Sequence, residues 1–181
     1  MKNLSVRNEQ TNLALNIPWF RQLIRHFLGH TLGLAHYSIG IRLVESAESA
    51  RVNHEFVHHE GPTDVITFDY AGWPTAQPPA GVALVETAGL HGELVICPTV
   101  AQLQAPLFKT TWTSEMVRYV VHGILHLQGY DDLDPTPRRL MKKEENRLVA
   151  LLAKDFDFAD LAAARRFAKT PAIPCDGQSS V

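Results

Sequence analysis

Two histidines, His122 and His126, stand four residues apart in the run HGILHLQGYDD, which spans His122 to Asp132. On a helix, residues i and i+4 share a face, so both imidazoles would point the same way. Gly129 follows three residues after His126, and Asp132 six after it. A glycine takes the left-handed backbone conformation that ends a helix and reverses the chain. The reversal would return a carboxylate toward two ring nitrogens. Hydrolytic zinc sites use three protein ligands and keep one position for water, whose pKa the ion can lower to about 7. His122, His126 and Asp132 are therefore the candidate metal ligands and catalytic residues, with Asp131 as the alternative carboxylate.

A bare HxxxH among nine histidines reads as coincidence on a solvated face. The added glycine and carboxylate match the extended zinc-protease spacing and favour a metal site. The protease pattern HExxH carries its general base at the second position. Here that position is Gly123, which argues against peptide hydrolysis by a helix-borne base.

The elements that must position these residues follow from periodicity. A first strand is expected at Leu4–Arg7. A helix capped by Asn16, with Pro18 near its start, buries Phe20, Leu23, Ile24, Phe27 and Leu28 and ends at Gly29 or Gly33. Tyr37–Val44 alternates as a half-buried strand. Ser46–His58 reads as a helix with Ala47, Ala50, Phe56 and Val57 inward, broken by Gly61 and Pro62. Val65–Tyr70 and Glu93–Cys97 are β-branched strands, and residues 71–91, rich in proline and glycine, form a long loop with 82–85 extended. A short helix at Thr99–Gln104 is followed by the ligand helix. That helix is capped by Thr113, has Trp112 stapled onto Val117, and carries the stripe Val117, Val120, Val121, Ile124 and Leu125. On it His122 and His126 share a face with Glu115, Arg118 and Tyr119, off the apolar stripe. Thr136 and Pro137 begin the last clear helix, which turns Leu140, Met141, Leu148, Leu151 and Leu152 to the core. The order indicates an α+β fold, a small mixed four-stranded sheet with the ligand helix packed on it.

Composition sets bounds. The chain has 181 residues, 45% hydrophobic and 20% charged, with a formal net charge of −2. It suits one globular domain and gives no global sign of a basic nucleic-acid binder. The N-terminus has no apolar core of a secretory signal, and no run approaches the ~20 residues of a membrane span. Two cysteines, Cys97 and Cys175, one in an apolar run and one in a polar tail, imply no disulfide framework and a cytoplasmic setting.

The run HGILHLQGYDD resembles the HGxLHLxGYDH signature of the YbeY family of rRNA maturation factors. PTDVITFDY, Pro62–Tyr70, resembles that family's PTDVLSF segment. HGELVICPTVA, His91–Ala101, resembles its GDIVI segment, and VNHEFV, Val52–Val57, its LNxxYR with Asn53 kept. The resemblance covers roughly residues 37–152, and several motifs in order make it specific. It implies a zincin-like α+β fold and a metal-dependent, single-strand-specific endoribonuclease. The implied role is 16S rRNA 3′-end maturation and ribosome quality control. One Zn²⁺ or another divalent ion is the implied cofactor. The implied partners are rRNA, the small ribosomal subunit, and ribosomal proteins or a ribosome-associated GTPase, with no membrane. Residues 1–154 form the single catalytic domain, and 155–181 a partly disordered extension.

Two positions depart from the family pattern. Asp132 stands where the family has a third histidine, and an anionic oxygen donor reduces the positive charge of a site. Val57 stands where the family has an arginine, removing a phosphate clamp. Arg118, Arg51, His58 and His59 are candidates to contact substrate in its place, and Arg138 and Arg139 are further candidate substrate contacts. Arg138, Arg139, Lys142 and Lys143 crowd the start of a helix, against its dipole, and hint at an anionic partner; the plainer reading is a solvated face balanced by Glu144 and Glu145. Thr63, Asp64 and Glu93 are candidates to line the cleft, with Asp64 equally suited to cap a turn. Two alternatives to the nuclease are a ribosome-assembly binding protein that has lost catalysis, and a metallohydrolase of another substrate.

Overall fold

The computed structural model describes residues 1–70 and 89–162. Four strands, β1 (Lys2–Asn8), β2 (Tyr37–Leu43), β3 (Val65–Asp69) and β4 (Leu90–Ile96), form one sheet in the order β1-β2-β4-β3. β1, β2 and β4 run parallel, and β3 lies antiparallel to β4 at the edge. Five helices accompany it: α1 (Ile17–His26), α2 (Ser46–Val52), α3 (Pro98–Phe108), α4 (Trp112–Leu127) and α5 (Pro135–Asp155). The architecture is α+β, as the element order indicates.

The period-two pattern of β2 decides its faces. Tyr37, Ile39, Ile41 and Leu43 are buried and the residues between them are half-buried. The main core joins this face to α1, α4 and α5, with Phe20, Leu94, Ile124 and Leu148 among its fully buried members. A smaller cluster of Val44, Val52, Ile66 and Val95 forms a second hydrophobic patch. Each buried aliphatic on the α4 stripe contributes about 1.5–3 kcal/mol. Asn16 caps α1 by accepting a bond from the Trp19 amide, and a wider π-type turn at Phe27–Thr31 carries the chain past Gly29.

Several local expectations shift. β4 begins at Leu90, so Leu90 and His91 belong to the sheet, not to the preceding loop; residues 71–88, including the expected extended piece at 82–85, lie outside the described residues. The cap of α4 is Thr111, which accepts from the Ser114 amide, so Trp112 is the first residue of the helix and packs against the main core to which Val117 belongs. α5 opens two residues earlier than expected, with Asp134 as N-cap and Pro135 as its first residue. α2 passes into a second π-type turn, Asn53–Val57, which closes at His58 in the left-handed region. Within α2 Ser49 and Val52 are buried, Ala50 half-buried and Ala47 exposed; in the wider turn that follows Asn53 is buried while Phe56 and Val57 are exposed. Phe56 instead meets Phe68 edge-on, with centroids 5.1 Å apart. On α5, Leu140 is exposed, Leu151 half-buried, and Met141, Leu148 and Leu152 buried.

The packed chain continues past residue 154. Phe156 meets Trp19 edge-on, Leu161 is fully buried, and its carbonyl accepts a bond from the Asn16 amide. Residues 155–162 therefore pack against the start of α1, and the rest of the expected extension, 163–181, lies outside the described residues. Among the described residues no helix is long and apolar enough to cross a membrane.

Candidate metal centre

The histidines sit in the last turns of α4, the helix that spans the sheet. Its seat requires Gly123. A Cβ there would stand 2.6 Å from Leu94 Cδ2 and 3.0 Å from Thr67 Oγ1. Position 123 thus faces the strands, and a glutamate base at this place in the motif would have to displace the sheet. One residue before it and three after it, His122 and His126 point to one flank, about 100° and 60° round the helix from that face, and both are half-buried.

α4 ends in a Schellman motif. The Tyr130 amide donates to the Leu125 carbonyl at 3.0 Å and the Gly129 amide to His126 at 2.9 Å, with Gly129 at φ +86°. This left-handed turn satisfies the orphan carbonyls of the helix end and sends the chain back over the histidines. Asp132 Oδ2 comes to 3.7 Å from His122 Nε2, and Oδ1 to 3.8 Å from His126 Nε2. Asp131 is used otherwise: its Oδ1 accepts the Leu133 amide at 3.0 Å. Of the two carboxylates, Asp132 is the one brought to the imidazoles.

The opposite ring nitrogens are held by acceptors. His122 Nδ1 lies 3.0 Å from Glu145 Oε2, and His126 Nδ1 lies 3.1 Å from the Tyr130 carbonyl. Neither a carboxylate nor a carbonyl donates, so each Nδ1 carries the proton. In the neutral rings the two Nε2 lone pairs then face each other at 3.1 Å, with the Asp132 oxygens beside them. Such a cluster of electron-pair donors is favourable around a cation. Ligands about 2.0–2.1 Å from a tetrahedral ion stand about 3.3 Å apart, close to these separations. The donor set fits a divalent ion, and His122, His126 and Asp132 could hold one. Burial, together with neighbouring His122, lowers the His126 pKa below its ordinary value, which favours the neutral ligand form.

Glu145 supports this arrangement and is hidden in sequence. It is only 2% exposed. Burial would raise its pKa, but bonds from His122, Lys142 and Arg118 overcome that and hold it at about 2. Lys142 Nζ lies 2.7 Å from Oε1, and Arg118 donates to the same oxygen. Glu145 is thus no member of a solvated charge run. Of the two glutamates only Glu144 is surface-paired, with Arg147. The available signal was periodicity: Met141, Glu145, Leu148 and Leu152 share the buried stripe of α5.

A cavity of about 550 Å³ opens beside the cluster, bounded by α3, α4 and α5. Arg118, Arg138 and Asp64 line it. Asp64 also caps a turn by accepting from Thr63 Oγ1 and the Val65 amide, so both readings of that residue hold. Thr63 is engaged with Ser49, and Glu93 with Tyr70 and Arg42, away from this cavity. Arg51 pairs with Glu48 and Glu55 and lines a separate hollow. His58, His59 and Arg139 are exposed and line neither hollow. Asn53 is buried and donates to the Gly61 carbonyl, a structural role for the turn that carries Val57.

A protein-family model described as endoribonuclease YbeY matches residues 5–153. A relative named endoribonuclease YbeY from Salinibacter ruber is 30% identical over 147 residues, 81% of this chain and 89% of the relative. A relative of the same name from Parabacteroides distasonis is 34% identical over 104 residues, 58% of this chain. Against that relative the chain spans 63% of its length, under two thirds. The solution structure of a Thermotoga maritima protein superposes with a TM-score of 0.56 at 20% identity, covering 92% of this chain and 99% of that one. At that identity the likeness speaks for the fold alone.

Proposed function

Because the chain belongs to the endoribonuclease YbeY family, we propose that it is a metal-dependent endoribonuclease cutting single-stranded RNA. Its site of action would be the 3′ end of 16S rRNA during maturation and quality control of the small ribosomal subunit, in the cytoplasm. Ribosomal proteins or a ribosome-associated GTPase would be its partners. The observation that carries the reading is the convergence of two imidazole lone pairs and a carboxylate beside an open cavity.

His122, His126 and Asp132 would hold one Zn²⁺ or a similar divalent ion. When bound, such an ion supplies Lewis acidity, polarising a phosphoryl oxygen and acidifying water. The chain's own residues do the rest. Glu145 and the Tyr130 carbonyl hold the Nδ1 protons, so both Nε2 atoms stay free to donate electron pairs. Asp132 brings negative charge, which makes the site less electrophilic than three imidazoles would. With position 123 turned to the sheet, no glutamate adjoins the first histidine to act on a peptide.

The test is metal content and RNA cleavage by the purified chain and by His122→Ala and Asp132→Ala. Wild type should retain about one ion per chain and cut single-stranded RNA in preference to duplex, and both variants should lose metal and cleavage. Full metal occupancy in the variants would sink the ligand assignment. Ribosome association without cleavage under any divalent metal would favour the binding-protein alternative. Asp132→His should bind metal at least as well as wild type, measured by competition with a chelator; loss of metal would mean that the turn cannot seat an imidazole there.

A further inference from the structure

The wall of the cavity opposite the histidines has chemistry of its own. α3 presents Gln104 and Phe108, four residues apart and so on one face, both lining the cavity that reaches His122 and Asp132. Phe108 is 60% exposed, a large aromatic surface left uncovered at the edge of a hollow. Tyr119 Oη donates to Gln104 Oε1 at 2.8 Å, and Tyr119 is itself buried. That bond fixes the amide and leaves its N–H groups free to donate.

The cations of the cavity are not equivalent. Arg118 and Lys142 are both engaged by Glu145. Arg138 bonds only to backbone carbonyls, of Asp132 at 2.7 Å and Leu133 at 3.1 Å. Among the described residues it pairs with no carboxylate, so its full charge stands beside the cluster with donors to spare. The bond to Asp132 also ties it directly to the turn that carries the third donor.

We propose that this cavity seats one unpaired nucleotide of an RNA strand, with Arg138 on its phosphate, Phe108 against its base and the Gln104 amide donating to an acceptor on the base edge. The proposal rests on the endoribonuclease reading and extends it to the substrate's chemistry. A volume of about 550 Å³ lies in the usual range for small-ligand sites. Stacking on an aromatic face is tolerant of sequence, and arginine binds phosphate through two parallel bonds. A base placed among three helices cannot also be stacked in a duplex. Selection of single strands would then follow from the shape of this seat.

The experiment measures binding, so that it stands apart from turnover. Zn²⁺-loaded full-length chain is titrated against a labelled single-stranded oligoribonucleotide, followed by fluorescence anisotropy within a time over which gel analysis shows the strand intact, with an abasic residue placed at each position in turn. One position should cost wild type about tenfold in affinity. Phe108→Ala should lose about the same factor and be indifferent to the abasic residue, whereas Phe108→Tyr should behave as wild type. Arg138→Gln, with metal content checked, should lower the slope of log affinity against log salt by about 0.7, one phosphate contact; Arg138→Lys should restore it. Full affinity in Phe108→Ala, an abasic penalty undiminished in it, or an unchanged salt slope in Arg138→Gln would overturn the seat. If wild type shows the coupling yet never cuts RNA, the endoribonuclease reading fails and the seat stands. If it cuts RNA and the coupling is absent, the seat falls alone.

Discussion

Glu145 and Glu48 are the same side chain in the same kind of company, on two different helices, α5 and α2. Each is bonded to two cationic side chains, Glu145 to Arg118 and Lys142, Glu48 to Arg51 and Arg42. Each carboxyl is held at about 2, Glu145 by His122, Lys142 and Arg118 against the upward pull of burial, Glu48 first by Arg51. They differ in solvent. The side chain of Glu145 is 3% exposed and that of Glu48 31%. Water screens the Glu48 pairs, so their contribution is small. Glu145 sits where an unpaired charge or an orphaned partner has no water to turn to, so its bonds carry much more. An ion pair's geometry does not tell what it is worth; its burial does.

The comparison can be broken most directly at Glu145. Glu145→Ala should destabilise the fold by about 3–5 kcal/mol in urea unfolding and, in chain that still folds, weaken metal binding about 10–100-fold through the freed His122 ring. A loss below about 1 kcal/mol would make the two carboxylates equivalent. Acid is the next probe. Both pKa values lie below the ordinary 4.5 in the folded chain, so each carboxylate stabilises the fold above that pH. That stability is lost as pH falls from about 4.5 toward about 2. The difference in stability between wild type and Glu145→Gln should therefore shrink across this window in urea unfolding at each pH; a difference that stays constant through it would mean that Glu145 is not held below its ordinary range. The smallest effect is expected from Glu48→Ala, a cost under about 1 kcal/mol that fades in molar salt, where the Debye length is about 3 Å.

The same contrast explains what could be read in advance. The candidate metal centre was legible because it is local. His122 and His126 are related by helical period, and Gly129 supplies the one backbone conformation that turns Asp132 back, all within a short run of chain. The strands β2 and β3 were legible for a similar reason, since alternation in Tyr37–Leu43 and β-branching in Val65–Asp69 are properties of consecutive residues. The π-type turn at Asn53–Val57 was not, because its hydrogen-bond pattern differs from the α-helix by one residue. That single step turned Phe56 and Val57 outward. Glu145 looks no different from Glu144 in sequence, because adjacency in a charge run says nothing about which face of α5 packs inward.

What the sequence determined alone was a candidate pair of histidines with a carboxylate beyond Gly129, the missing protease base, the α+β class and the family resemblance. Each rests on residue type and short-range spacing, where helix and strand geometry leave little freedom. Tertiary structure decided which carboxylate faces the imidazoles and that Gly123 is a packing requirement of the sheet. It decided too that Glu145 fixes the His122 tautomer, and that Arg138, rather than Arg51, borders the cavity. Those answers depend on contacts between α3, α4, α5 and the strands. They join residues tens of positions apart, and only burial against one another sets what each of them meets.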